Sequence, residues 1–463
     1  MSSSPTAMTE IRSPERSTPS SPPPALPRLL AGIRPHGAMA LEEHLALHGP
    51  LPLGRGGRRR QLRERAAMLI DEIERAGLLG RGGAAFPTAT KMRAVADARG
   101  RAIVVANAAE GEPASLKDRT LLETLPHLVL DGAVIAAEAV GADEVIVCVC
   151  ETAGQSIEAV EHAIAERSRS SELAAGSPKV RLATVPSHYV AGQESALVNY
   201  INGGAAKPTF TPPMPFEQGV RRRPTLVDNV ETLAHVALIA RHGAPWFREL
   251  GIPTQPGSTL ITLCGPVTHP GVYEIEHGAS LASLIEASGG TTARVRAALF
   301  GGYAGAWVGG DRLHGVALSK EHLAPHGATL GAGVVLLLSE EACPVAETAR
   351  VARWMEGQSA RQCGPCIHGL DALASTVEEI VGGIAHPKAM QRLEQLASLT
   401  ARRGACAHPD GAVNLLLSAV EVFSSEFADH ARHGPCESCS RRPELPLPER
   451  PVEDAGSRKA GRA

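Results

Sequence analysis

Short apolar runs alternate with amphipathic helical patterns through the first half of the chain. Continuous apolar runs predict strands at residues 102–105 and 145–149, and a segment with β-branched residues predicts a third strand at residues 180–185. Apolar residues spaced three or four apart predict helices at residues 64–76, 128–140 and 156–167. In the first of these helices, one face carries Met68, Leu69, Ile73 and Ala76. This alternation predicts a Rossmann-like α/β domain with a mostly parallel sheet over residues 28–243.

The second half of the chain changes pattern twice. Strand patterns at residues 260–264 and 271–275 precede a helical pattern at residues 281–287, so we predict a small α+β domain over residues 244–340. Four further helices are predicted, at residues 345–355, 369–381, 388–398 and 411–428. Their short connections predict an α-helical bundle over residues 341–433. Residues 1–27 and 434–463 are Pro-rich and polar, and we predict disordered tails there.

Composition narrows the classes of function. The 463 residues include 46 Lys and Arg against 49 Asp and Glu, which gives no reason to expect a nucleic-acid partner. The longest apolar runs are too short to span a bilayer, so we expect no transmembrane segment. No apolar secretory segment is present near Met1, which predicts a cytoplasmic protein or one peripheral to a membrane complex. The nine cysteines are then expected as thiols or metal ligands.

Three polar loops follow predicted elements and carry candidate chemistry. Residues 77–88 are Gly-rich and include Gly82 and Gly83, which allow a close approach of backbone N–H groups to a phosphate or a flavin ring. Residues 106–119 follow a strand and carry Asn107, Glu110, Glu112 and Lys117, a set that suits a bound ribose or carboxamide. Residues 188–195 open a helix, where an anion would be favoured. Taken singly, each loop also fits a solvated surface turn.

Cysteine spacing suggests a metal or an iron–sulfur cluster. Cys363 and Cys366 form a C-x₂-C pair, and Cys406 follows about forty residues later. Cys436 and Cys439 form a second C-x₂-C pair near the end of the chain. Two such pairs would also suit a tetrahedral zinc ion, so a zinc site made of both pairs competes with the cluster.

The order and spacing of these segments resemble the flavin-bearing, NADH-oxidising component of bacterial NADH:quinone oxidoreductase, that is, the F-subunit or 51-kilodalton family. The resemblance covers residues 28–433 and is carried by five segments, at residues 77–92, 107–119, 189–197, 224–233 and 264–273. It implies an FMN-binding α/β domain, a ubiquitin-like β-grasp domain of the soluble-ligand-binding kind and a helical iron–sulfur domain. It further implies hydride transfer from NADH to FMN and release of single electrons to an iron–sulfur cluster or ferredoxin-like partner.

The resemblance also assigns cofactor-binding residues. The set that it places around FMN or the nicotinamide nucleotide is Gly82, Gly83, Phe86, Lys91, Asn107, Glu110, Glu112, Tyr189, Gly192, Gln193, Glu194, Asp228 and Asn229. For the cluster it implies Cys363, Cys366 and Cys406 as ligands.

This chain departs from the family pattern at positions in these sites. Ala109, Gln193 and Asp228 replace the family's Asp, Glu and Asn, and Met92 and Met214 stand where the family has aromatic residues. Because Gln193 lacks the charge that would repel a 2′-phosphate, we expect weaker discrimination against NADPH.

Ala360 replaces the first cysteine of the family's cluster motif. The alternatives are a four-iron cluster with water, His368 or another residue on its fourth iron, a three-iron cluster, or no cluster. Two functions therefore remain: an electron-transfer flavoprotein, or a degenerate scaffold subunit that keeps the fold without catalysis.

Overall fold

The computed structural model describes residues 26–34, 37–52, 59–170, 173 and 177–448. The disordered tails predicted at the two ends of the chain fall mainly on residues 1–25 and 449–463, which lie outside this range.

The first sheet has four parallel strands in the order β3-β2-β1-β4. They are β1 (Ala102–Ala108), β2 (Ala142–Cys150), β3 (Lys179–Val185) and β4 (Thr225–Asn229). The inner strands β1 and β2 are almost wholly buried, as their continuous apolar runs predict. The register sets Asn107 of β1 opposite Asn229 of β4, so both polar side chains lie at the carboxyl edge of the sheet.

Helices cover this parallel sheet, which confirms the predicted α/β class. They are α1 (Leu41–His48), α2 (Arg59–Ala76), α3 (Thr88–Ala96), α4 (Lys117–Thr124), α5 (Pro126–Val140), α6 (Gly154–Arg169), α7 (Glu194–Ile201), α8 (Pro215–Gln218) and α9 (Val230–Phe247). Helices α5 and α9 pack so closely that a Cβ at Gly132 would lie 1.7 Å from the carbonyl oxygen of Leu233. In α2, Ile73 and Ala76 are buried as expected, whereas Met68 is 68% exposed. The apolar face is centred on Ile70 and Ile73 instead.

The second sheet is mixed, with strand order β10-β9-β11-β7-β8. Its strands are β7 (Ser258–Cys264), β8 (Gly271–Glu276), β9 (Val295–Phe300), β10 (Ala306–Gly309) and β11 (Val334–Ser339), and a short hairpin of β5 (Gly251–Ile252) and β6 (Gln255–Pro256) precedes them. Only β11 and β7 pair in parallel. Two short helices belong to this unit, α10 (Leu281–Ala287) and α11 (Lys320–Leu323).

The remaining helices pack around one apolar core that also contacts the mixed sheet. They are α12 (Pro344–Gly357), α13 (Leu370–Gly382), α14 (Ala389–Thr400), α15 (His408–Val422) and α16 (Ser424–His433). The single helix predicted at residues 411–428 is in fact two, because the chain leaves helical geometry at Phe423 (φ −112°, ψ 32°) and turns by 86°.

The segment at residues 434–448 is packed, in contrast to the disordered tail predicted from residue 434. Leu445 is 3% exposed. The carboxylate of Glu444 accepts a hydrogen bond from the backbone N–H of Ser339, and the Glu444 N–H donates to Glu347. These long-range partners hold the segment against the helical core, and they cannot be predicted from its local composition.

Within the described ranges, no single helix combines the length and apolar character needed to cross a bilayer. Two sharply bent helix pairs, α4 with α5 and α15 with α16, reach that length and composition only when taken together.

Candidate functional site

Asn107 marks the carboxyl end of the central strand β1. Its side-chain N–H₂ donates to the carbonyl of Gly192 at 2.9 Å, and its side-chain oxygen accepts from the backbone N–H of Ala109 at 3.0 Å. A Cβ at Gly192 would lie 2.4 Å from the carbonyl oxygen of Ala109, so this close approach requires glycine. The loops at residues 106–119 and 188–195 are thereby joined over the sheet edge.

Lys91, on α3, brings a cation to the same edge. Its ammonium donates to the carbonyl of Val227 at 2.8 Å and lies 3.5 Å from a carboxylate oxygen of Asp228 and 3.9 Å from one of Glu194. Burial disfavours the ammonium, but the two carboxylates outweigh it and hold the pKa of Lys91 above its ordinary value. Lys91 therefore carries its positive charge throughout the physiological range.

The two carboxyl groups beside Lys91 respond to burial. Burial raises the pKa of Asp228 to about 6, against the attraction of the Lys91 ammonium. Burial likewise raises the pKa of Glu194, again opposed by Lys91. The site thus contains two carboxyls whose protonation is easier than in water.

The Gly-rich loop approaches this edge from the other side. A Cβ at Gly82 would lie 3.4 Å from the Cβ of Asn229, and Gly83 adopts φ +106°. The buried Arg81 fixes the loop, since its backbone N–H donates to Thr232 and its guanidinium donates to the carbonyl of Ser258 at 3.0 Å. Near the end of the loop, Phe86 is 51% exposed.

A buried ionic network lies beneath Asn229, and most of it has no signal in the sequence. The Lys117 ammonium lies 2.6 Å from Asp118, 3.0 Å from Glu231 and 3.3 Å from the side-chain oxygen of Asn229. The Asn229 N–H₂ donates in turn to Asp118 at 2.6 Å. Lys117 stands out in its polar loop, but Asp118 and Glu231 read as ordinary first-turn helix carboxylates. Only the fold brings them to one ammonium.

Two predicted cofactor residues serve local helix ends in the structure. Glu110 accepts from the backbone N–H groups of Asp118 and Arg119 at the start of α4. Gln193 is the N-cap of α7, and its side-chain oxygen accepts from the backbone N–H of Ala196 at 2.9 Å. Both lie in the loops of the site, with these oxygens directed to the backbone.

Glu112 joins the α/β domain to the mixed sheet. Its carboxylate accepts from the backbone N–H of Tyr303 at 2.8 Å, in the turn between β9 and β10. Burial raises the pKa of Glu112 to about 7, although the N–H groups of Tyr303 and Ala114 oppose the shift. A Cβ at Gly302 would lie 2.5 Å from the same carboxylate, so glycine makes room for it.

Tyr189 connects the polar edge with the helical unit. Its ring meets Trp354 edge-on at 5.5 Å and lies 5.4 Å from the ring of His408, two residues after Cys406. Its backbone N–H donates to the side chain of Gln358 at 3.0 Å. The predicted flavin site and the cysteine loop are therefore neighbours through one aromatic contact.

Cys363, Cys366 and Cys406 are brought together from two segments of the helical unit. Burial opposes ionisation of the Cys363 thiol, but the backbone N–H groups of Ala405 and Cys366 favour the thiolate and lower its pKa. Burial raises the pKa of Cys366 to about 12. The three thiols are neighbours, since the pKa of Cys406 responds to Cys363 and that of Cys366 responds to both.

The position expected to hold the first cysteine of the motif carries a buried methyl group. Ala360 is 3% exposed, and the following residue, Arg361, adopts φ +52°, a conformation that favours glycine. The loop thus has a left-handed backbone conformation at Arg361, next to the position where a cysteine ligand was expected. His368, the candidate substitute ligand, is exposed.

Cys436 and Cys439 do not join the cysteine pair of the α13 region, contrary to the zinc combination considered from spacing. Their sulfurs lie near Cys343 and His430 instead. Spacing alone gives Cys343 no role, because it lies 93 residues before Cys436 in sequence (436 − 343).

Three family profiles match this chain in the order of its three units. Residues 73–238 match the Nuo51 FMN-binding domain, residues 260–303 the SLBB domain, and residues 346–430 the NADH-ubiquinone oxidoreductase-F iron-sulfur binding region. The first profile spans the parallel sheet, the second covers β7 to β9 of the mixed sheet, and the third covers most of the helical unit.

Two relatives and one solved structure agree with these profiles. An F subunit of the NADH-quinone oxidoreductase of Rhizobium meliloti is 32% identical over 378 residues, which cover 80% of this chain and 90% of that protein. NADP-reducing hydrogenase subunit HndC of Solidesulfovibrio fructosivorans is 28% identical and covers 86% of this chain and 82% of its own.

The solved structure is a chain of the NAD⁺-reducing [NiFe]-hydrogenase in the H₂-reduced state, at 30% identity and a TM-score of 0.73. The match covers 80% of this chain and 64% of that one. Identity, coverage and fold together show that the chain belongs to the family of NADH-quinone oxidoreductase F subunits.

Proposed function

We propose that this chain is an electron-transfer flavoprotein subunit that oxidises NADH through FMN and passes single electrons to an iron–sulfur partner. One observation carries the proposal: Tyr189 shares a short 3₁₀ turn with Gly192, whose carbonyl accepts from Asn107, and its ring lies 5.4 Å from that of His408 beside the cysteine loop. A hydride site and a one-electron site need such proximity if electrons are to leave the flavin towards a cluster.

The residues at the sheet edge fit FMN in chemistry. Gly192 allows the close approach of the Ala109 carbonyl, Gly82 lies against Asn229, Asn107 and Asn229 supply amide groups, and Lys91 supplies a fixed positive charge. We infer that these residues, with Gly83 and Tyr189, hold the flavin. When bound, FMN would supply hydride acceptance and one-electron release, and the chain's own part would be to bind, orient and tune it.

The nicotinamide nucleotide would enter beside Phe86. Its half-exposed ring offers a stacking face, while Lys91, Glu112 and Glu194 offer polar groups deeper in the site. The raised pKa of Glu194 makes this carboxyl easier to protonate than an exposed one. The remaining polar contacts proposed for the cofactors are Glu110, Gln193 and Asp228.

Cys363, Cys366 and Cys406 would hold the cluster. Bound there, it would supply one-electron transfer. The backbone N–H groups of Ala405 and Cys366 would stabilise the thiolate of Cys363. The buried methyl of Ala360 leaves the fourth ligand to a group other than cysteine at that position.

We further propose that the domains are an FMN domain at residues 28–243, a β-grasp domain at 244–340 and a helical iron–sulfur bundle at 341–433. The parallel pairing of β11 with β7 and the packing of α10 support the β-grasp assignment. A ferredoxin-like or iron–sulfur protein would receive the electrons, on the cytoplasmic side and peripheral to a membrane complex.

Flavin reconstitution of full-length protein tests this function. Wild type should bind FMN and reduce ferricyanide with NADH. Lys91→Met should weaken FMN binding by about 10-fold or more, the usual scale for a charge-assisted contact. Lys179→Met, which removes an exposed lysine from the start of β3, should not. Protein that cannot be reconstituted with FMN would overturn the proposal in favour of the scaffold.

A further inference from the structure

Four potential ligands converge where the helical unit meets the end of the mixed sheet. Cys343 precedes α12, His430 lies in α16, and Cys436 is the N-cap of a short 3₁₀ turn that contains Cys439. Their ligand atoms all lie within 4.8 Å of one another. Cys343 and His430 are 4% and 3% exposed, so half of the group is enclosed in the protein.

The separations match one tetrahedral ion. The Cys439 sulfur lies 3.5 Å from that of Cys343 and 3.7 Å from that of Cys436, while the Nε2 atom of His430 lies 3.3 Å from the Cys343 sulfur and 3.9 Å from the Cys439 sulfur. Zinc–ligand bonds of about 2.3 Å to sulfur and about 2.0 Å to nitrogen place tetrahedral ligands roughly 3.5–3.8 Å apart.

We propose that Cys343, His430, Cys436 and Cys439 form a structural zinc site, separate from the iron–sulfur ligands Cys363, Cys366 and Cys406. A four-iron cluster would hold each cysteine on a different iron and so keep the sulfurs further apart than a single ion does. A Cys₃His set with all four positions taken by protein is typical of structural zinc, since catalytic zinc keeps a position open.

The site would fasten the C-terminal segment to the body of the protein. After Cys439 the chain runs along the helical core to Pro446, whose carbonyl accepts from the Tyr303 hydroxyl at 2.6 Å. The backbone N–H of Tyr303 is the donor to Glu112. Zinc would thus hold in place a segment that contacts Tyr303. Tyr303 in turn contacts Glu112, which we propose to meet the nicotinamide nucleotide.

Zinc and iron contents of full-length protein test the proposal directly. After equilibration with Zn²⁺ and removal of loose metal by a weak chelator, wild type should keep about one zinc per chain. Cys436→Ala should lose that zinc and keep its iron. The substituted side chain is exposed, which limits the risk that the variant fails to fold.

Two controls separate this site from its neighbours. Ser440→Ala, in the same turn, should keep zinc, and Cys363→Ala should keep zinc while iron falls. Wild type without zinc, zinc retained in Cys436→Ala, or zinc lost with Cys363→Ala would overturn the assignment. A Cys436–Cys439 disulfide, seen as a two-dalton loss by mass spectrometry, would also overturn it.

Discussion

The rings of Tyr189 and His408 lie 5.4 Å apart and join the polar edge of the parallel sheet to the loop of Cys406. Trp354 meets the same tyrosine edge-on at 5.5 Å. Aromatic contacts of this kind are worth about 0.5–1.5 kcal/mol beyond their buried area. The contact therefore has both a stabilising and a positioning role between two domains.

Removal of the Tyr189 ring should separate these roles. Tyr189→Ala should lower the free energy of unfolding by about 3 kcal/mol, because a large ring is lost from a packed interface. Tyr189→Phe keeps the ring and should change the free energy of unfolding by less than about 0.5 kcal/mol. Denaturant unfolding, with NADH-driven cluster reduction as a second readout, checks this. Equal effects of the two variants would show that the ring contact contributes nothing.

Protonation of Glu112 should make stability depend on pH. Its pKa is about 7 in the folded protein and near 4.5 in an exposed glutamate, so between these values only the unfolded chain loses the proton. The contribution of Glu112 to stability should therefore fall by about 3 kcal/mol as pH rises from 4.5 to above 7.

Glu112→Gln tests this dependence, since glutamine still accepts from Tyr303 but cannot ionise. The stability difference between wild type and the variant should move in favour of the variant as pH rises. A difference that stays constant between pH 4.5 and 7.5 in chemical denaturation would contradict the burial argument.

Ala360→Cys should restore the missing cluster ligand. The methyl group is buried and follows Ser359 in the loop that leads to Cys363. We expect iron to rise towards about four per chain, the complement of a Cys₄ cluster. Ala385→Cys adds a cysteine elsewhere in the helical unit and should leave iron unchanged. Iron and sulfide analysis of anaerobic protein measures this, and an unchanged iron content in Ala360→Cys would count against the assigned position.

Gln193→Glu should sharpen the preference for NADH over NADPH. A glutamate can keep the N-cap contact to Ala196 while it adds a charge that repels a 2′-phosphate. A repulsion of about 1 kcal/mol corresponds to roughly a 5-fold change in the ratio of kcat/KM values. Gln218→Glu adds the same charge at an exposed position on α8. If both variants change the ratio alike, position 193 has no specific role.

The sheet edge was predictable because local pattern and topology agree there. Continuous apolar runs identified β1 and β2, and parallel strands necessarily end at one edge, where Asn107 and Asn229 face each other. Lys91 was assigned through the family motif, and the structure brings it to Asp228 at that edge.

The bend at Phe423, the partners of Cys436 and Cys439 and the ionic network at Lys117 could not be predicted, because they depend on contacts between residues distant in sequence. Phe423 interrupts a helical pattern without Gly or Pro, so the turn that directs His430 towards Cys343 has no sequence signal. The C-x₂-C spacing of Cys436 and Cys439 suggested a metal site but did not identify its other two ligands. Glu231 reads as a first-turn carboxylate, and only packing places it 3.0 Å from Lys117.

An anaerobic NADH titration of the reconstituted protein, followed by flavin absorbance and by electron paramagnetic resonance, tests the central claim most directly. The account predicts that NADH bleaches the flavin and that an iron–sulfur signal changes in wild type and is absent from Cys363→Ala. Bound flavin that stays oxidised with NADH would contradict it.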